Sequence, residues 1–223
     1  MKTEEQTTEA APETTLQSFL YFPTAVYIDS KPEFLDVARE VVDRHIAKVH
    51  EEKPLNDVHP VTMTGLLMDE PDLEPLREFI GETGWSILAG QGYAMEHVSL
   101  TFSEFWAQEH RKTSSMDAHP HGYGVQLAGF YFIDVPTDPA PPRAIFHDPR
   151  PGKVMVDMLE QDRNMVTYAS GMINFVPEEG MVMFTNAWLP HAFSRNPCDK
   201  PFRFIHFNLS PMYGEASIPA EIV

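Results

Sequence analysis

Hydrophobic positions along this chain change their spacing near residue 97. From Phe34 to Val49 they recur at helical intervals, with Phe34, Leu35, Ala38, Val41, Val42, Ile46 and Val49 on one side of a helix that runs to about Glu52. Ser30 and Glu33 have the capping-box spacing, and Pro32 suits a first turn. Two further helical patterns cover residues 73–82 and 85–96. Residues 16–28 are aromatic and β-branched but broken by Pro23, which predicts a strand at a sheet edge. Beyond His97 the pattern becomes short aromatic or β-branched runs at 98–109, 125–135, 144–147, 172–176, 181–185 and 202–209. Pro, Gly, Asp and Asn clusters separate them, and Gly180 marks a tight turn. Helices first and many short strands later predict an α+β chain, with N-terminal helices packed on one side of an antiparallel β-sandwich or jelly roll.

Composition narrows this further. The chain has 223 residues, enough for one domain with a real core. We expect residues 1–15, rich in Glu and Thr, to be a disordered or docking tail. The domain would then span 16–223: an initial strand and supporting helices (16–97), the β-rich core (98–212) and a C-terminal extension (213–223). Sixteen Lys and Arg against 33 Asp and Glu give a net charge of −17, which opposes attraction to nucleic acid or anionic lipid. No apolar run is long enough for a membrane span, and no signal peptide is visible. The single cysteine, Cys198, fits a reducing cytoplasm.

Candidate chemistry lies in the β-rich part. His119 and His121 flank Pro120, and residues two apart in extended chain point the same way. A third imidazole, His191, follows the run 181–185. Three convergent nitrogens would leave open positions on a metal, as catalysis requires. Asp117 shares the parity of His119 and His121, and Asp148 follows another run, so either offers an alternative carboxylate ligand. Arg203 lies in an apolar run beside Ile205, Phe207 and Leu209, where a guanidinium needs an anion, internal or bound. Tyr131 shares the histidines' parity unless the glycines at 122 and 124 break the register. Arg143 and Arg150, near Lys153, form a basic cluster that would orient an anionic substrate.

Taken together, these landmarks resemble the iron(II)- and 2-oxoglutarate-dependent oxygenases of the double-stranded β-helix (jelly-roll) fold. The likeness is nearest to a group of 2-oxoglutarate oxygenases common in marine bacteria and their phages. It rests on Trp106, His119-Pro120-His121, the strand 128–132, Asp148-Pro149-Arg150, Trp188-Leu189-Pro190-His191 and the run Arg203 to Asn208, in that order over about 98–212. The resemblance implies Fe(II) held by His119, His121 and His191. It also implies 2-oxoglutarate with its distal carboxylate on Arg203, Tyr131 as a further contact, and an unidentified small-molecule or peptide substrate. Two departures stand out: His121 replaces the usual carboxylate, and Ile205 replaces a Ser common beside the Arg. A metal-dependent cupin, with Gln126 near its Glu position, and a non-catalytic jelly-roll binding module are the alternatives.

Overall fold

In a computed structural model, residues 17, 19–53, 58, 60–155 and 158–214 are described. The expected tail and most of the C-terminal extension lie outside them. Two antiparallel sheets face each other. The larger has the order β1 (Val26–Ser30), β8 (Met181–Asn186), β5 (Leu127–Asp134), β10 (Phe202–Tyr213), β3 (Val98–His110), β2 (Val61–Leu66). The smaller has the order β4 (Met116–His119), β9 (His191–Phe193), β6 (Ala144–His147), β7 (Met172–Phe175). This is the jelly-roll core that the late strands predict.

Alternation along the large sheet separates two apolar layers. Tyr131, Ile133, Ile205, Phe207 and Leu209 point outward and pack with Val42, Ile46, Ile80 and Leu88 of the helices. Phe130, Phe132, Phe202 and Phe204 point inward and meet Phe146 and Phe193 of the small sheet. The two faces therefore have different tasks: one carries the helices, the other fills the barrel.

The first helix, α1 (Leu35–Glu52), follows a 3₁₀ turn at Pro32–Phe34, and its N-cap makes no side-chain hydrogen bond. Ser30 instead ends β1, so the capping box is not formed. The patterns at 73–82 and 85–96 merge into one helix, α2 (Glu74–Gly90). Gly84 lets that helix lie against the sheet, because a Cβ there would overlap the Leu209 side chain. Of the described residues in the expected strand at 16–28, only the last pair, as part of β1; Phe19 to Phe22 are exposed. Gly180 turns with φ of +79°, and a Cβ there would meet Pro32 at 2.9 Å.

Candidate metal centre

β4 ends at His119, and the chain turns through Pro120 and His121 into a loop where Tyr123 and Gly124 have positive φ. β9 begins at His191, which is the antiparallel partner of His119. The hydrogen bond from His121 N–H to the Ala187 carbonyl holds the third ring over the same point. One ligand atom from each of His119, His121 and His191 lies within 4.8 Å of the others. An ion about 2.1 Å from each nitrogen needs them about 3.0–3.4 Å apart. His121 Nε2 and His191 Nε2 already stand at 3.2 Å.

The outer nitrogens are held by the protein. Nδ1–H of His119 donates to the Asp117 carbonyl at 2.8 Å, and Nδ1–H of His191 donates to the Leu189 carbonyl at 3.1 Å. Both bonds leave Nε2 as a lone pair facing the centre, the usual arrangement of a metal-ligating histidine. Burial pushes the His191 pKa down to about 3 and, together with the neighbouring His206 and His119, the His121 pKa down to about 4. These rings are neutral at pH 7, as ligation requires.

Around His121 lies a second polar group. Asn208 Nδ2 donates to His121 Nδ1 at 2.9 Å and to Glu104 Oε2 at 2.8 Å, and His206 Nε2 meets the same Glu104 oxygen at 3.2 Å. The His206 bond holds the Glu104 carboxyl below its ordinary range. With Nδ1 as acceptor, the proton of His121 lies on Nε2, toward His191. A metal at Nε2 needs the opposite tautomer. Turning the Asn208 amide would bring Oδ1, buried without a partner, to that proton, and it requires Glu104 to swing away, because the same turn sets Oδ1 against Glu104 Oε2. The donor set therefore fits a metal ion, and Glu104, His121 and His206 form a second trio of ligand atoms sharing His121. Strand parity alone did not reveal Glu104, His206 and Asn208, because nothing in it says which face of β10 is the inner one.

Arg203 requires a correction. It lies on the outer face of β10, where its guanidinium meets Glu109 at 2.6 Å, Asp43 at 2.6 Å and Asp134 at 3.4 Å. Its required anion is thus internal, as a polar cluster between sheet and α1. The positions of β10 that face the barrel are Phe202, Phe204, His206 and Asn208. Among the described residues Arg203 is the only Lys or Arg in any strand. Tyr131 is also outward, its hydroxyl donating to the Lys31 carbonyl at 2.8 Å. The loop at Tyr123 and Gly124 breaks the parity that linked it to the histidines. Neither residue is placed to hold a cosubstrate at the His cluster.

The alternative carboxylates are also elsewhere. Asp117 is exposed and contributes only its carbonyl. Asp148 holds Arg150 through contacts of 2.6 and 2.9 Å, which keep its own pKa low. Arg143 is exposed. A groove of about 440 Å³, lined by Tyr21, Phe146, Asp148, Arg150, Tyr168 and Leu189, runs beside the centre. Phe146 pairs with His191 across β6 and β9, and its ring is 6.3 Å from that imidazole. Trp106 lies on the inner side, 4.9 Å from His206, while Trp188 is half exposed.

No family model matches the sequence, and no curated protein matches it. Solved structures do match. AviO1 from Streptomyces viridochromogenes Tue57 superposes with a TM-score of 0.59 at 13% identity, over 88% of this chain and 93% of that one. HygX from Streptomyces hygroscopicus, with nickel, 2-oxoglutarate and hygromycin B bound, gives 0.56 at 12% identity, over 85% and 84%. The viral collagen prolyl hydroxylase of Paramecium Bursaria Chlorella virus-1, in complex with 2-oxoglutarate, gives 0.51 at 7%, over 83% and 94%. The chain has the double-stranded β-helix fold of the 2-oxoglutarate oxygenases. Among the described residues no helix is long and apolar enough to cross a membrane.

Proposed function

We propose that the protein is an iron(II)- and 2-oxoglutarate-dependent oxygenase that hydroxylates a C–H bond of a small-molecule or peptide substrate. The observation that carries this reading is the convergence of three imidazoles, two with Nε2 directed inward, between β4 and β9 of a fold shared with proteins that bind 2-oxoglutarate. His119, His121 and His191 would hold the iron and leave coordination positions open. Once bound, iron(II) with 2-oxoglutarate and dioxygen supplies a two-electron oxidation, the 2-oxo acid leaving as succinate and carbon dioxide.

The chain's own part is positional. The Asp117 and Leu189 carbonyls fix two ligand rings, and Asn208 orients the third. Phe130 and Phe146 pack their rings beside His191, and Trp106 packs beside His206. The groove between Tyr21, Arg150 and Tyr168 reaches Phe146 and Leu189, close neighbours of His191, and would be the side from which a substrate approaches. Arg150 is neutralised by Asp148, so an anionic substrate group would have to compete with that pair.

Among the described residues no strand turns a Lys or Arg into the barrel, which favours, as a second reading, a cupin-type dioxygenase or isomerase that uses the same three imidazoles without 2-oxoglutarate. Succinate release from 2-oxoglutarate separates the two. The oxygenase reading expects release that depends on iron(II) and oxygen, and its loss in a folded His191→Ala variant. Metal retention with no release by the wild-type protein would favour the cupin reading.

A further inference from the structure

Three buried polar atoms on β3 have no partner: Nε2 and Oε1 of Gln108, and Nε2 of His110. Both residues are 1% exposed. An unpaired buried polar group costs about 1–3 kcal/mol, and native cores seldom keep several together unless a ligand or water meets them. The two residues are two apart on an extended strand and share a face, which is the barrel interior. Gln108 stands directly opposite Phe204. The His110 ring stacks on Phe204 at 5.6 Å and packs near Phe202 and Phe193.

The other His110 nitrogen is already engaged. Nδ1–H donates to Ser114 Oγ at 3.1 Å, and the Ser114 hydroxyl donates to the Arg111 carbonyl at 2.7 Å. His110 therefore offers Nε2 to the interior beside an amide that offers both a donor and an acceptor. The elements packed on the ring present Phe193 from β9, Phe202 and Phe204 from β10, and Ser114, none of them charged.

Gln108 lies one inward step deeper than the level of the metal centre, and His110 a second step beyond it. His206, whose ring stacks on His121 at 5.0 Å, pairs with Trp106. Gln108 is the next inward residue on that strand, about 7 Å further along. A five-carbon chain spans such a step.

We propose that Gln108 and His110 form the subsite for the far end of the 2-oxo acid, taking its distal carboxylate with an amide N–H and an imidazolium instead of a guanidinium. This rests on the oxygenase reading. The carboxylate draws a proton from solvent onto His110 Nε2, and the orphaned donor of Gln108 gains its partner. Burial among aromatic rings pushes the ligand-free His110 pKa down to about 4, so binding near pH 7 takes up a proton.

Calorimetric titration of the anaerobic iron(II) protein tests the subsite, with 2-oxoglutarate and with 2-oxopentanoate, which lacks the distal carboxylate. Titrations run in two buffers of different ionisation enthalpy count the protons. Wild-type protein is expected to bind 2-oxoglutarate at least tenfold more tightly and with proton uptake. Gln108→Leu and His110→Phe should each erase most of that preference, and His110→Phe should also abolish the uptake. Iron affinity should be unchanged, and Gln108→Leu should not melt lower, since it removes only unpaired atoms, whereas His110→Phe also gives up the Ser114 hydrogen bond. No 2-oxoglutarate binding by the iron-loaded wild type would sink the oxygenase reading itself. Wild-type binding that both variants retain, or that shows no preference for the distal carboxylate, would overturn the subsite and assign the two residues to buried water.

Discussion

Removing the Arg203 side chain leaves Glu109, 2% exposed, facing only the more distant His50. Breaking one partner of a buried pair costs about 3–5 kcal/mol. Arg203→Ala should therefore lower the denaturation midpoint severely, while a protein that still folds should keep its 2-oxoglutarate affinity. A tenfold loss of that affinity in a folded variant would return Arg203 to the cosubstrate. His110 carries a separate signature. Its pKa falls from 6.5 in the unfolded chain to about 4 in the folded one, so the unfolded state binds more protons between those values. Stability is complete above about pH 6.5 and declines toward pH 4, by about 3 kcal/mol from this residue at the limit. His121 and His191 add to the same decline in the metal-free protein. Denaturation curves at pH 7 and pH 5 check this, with His110→Phe expected to flatten part of the slope. A slope unchanged in that variant would rule out the buried neutral ring. At this scale the His119, His121 and His191 group is legible in the chain from the His-x-His spacing and from the Pro that precedes both His121 and His191. Glu104, His206 and Asn208 were not, because the inner face of β10 is decided by pairing with β3 and β5. Choosing the Arg203 face as the inner one displaced both Arg203 and Tyr131.

The strands found from the pattern were those rich in aromatic and β-branched residues, such as β5, β6 and β10. β2, β4 and β9 were not expected. Met116–His119 and His191–Phe193 are too short for a period-two signal, and Val61–Leu66 contains Gly65. Their pairing comes from the sheet partners they meet. The helical pattern divides α2 at Thr83-Gly84, where the apolar spacing is interrupted, yet Gly84 is there for proximity to Leu209. Gly84→Val should cost about 1–3 kcal/mol by overpacking, read as a lower midpoint in denaturant with unchanged iron affinity. A neutral effect would mean that α2 is free to move away from the sheet.

Among the described residues, the fold places the one strand-borne Lys or Arg, Arg203, outside the barrel and His110, His119, His121, His191 and His206 at its inner side. The inner side of a chain with net charge −17 thus carries imidazoles and aromatic rings, with the half-exposed Glu104 paired to His206 and Asn208 at its edge. Such an interior suits a divalent cation well, and it accepts the 2-oxo acid only if the Gln108 amide and a His110 protonated on binding replace the missing guanidinium. The most direct test is anaerobic titration of iron(II) into the purified protein, followed by 2-oxoglutarate, with visible absorption recorded throughout. The account expects one iron per chain and a charge-transfer band that grows with 2-oxoglutarate, both absent in a folded His191→Ala variant. Stoichiometric iron without that band, or a band that survives His191→Ala, would contradict it.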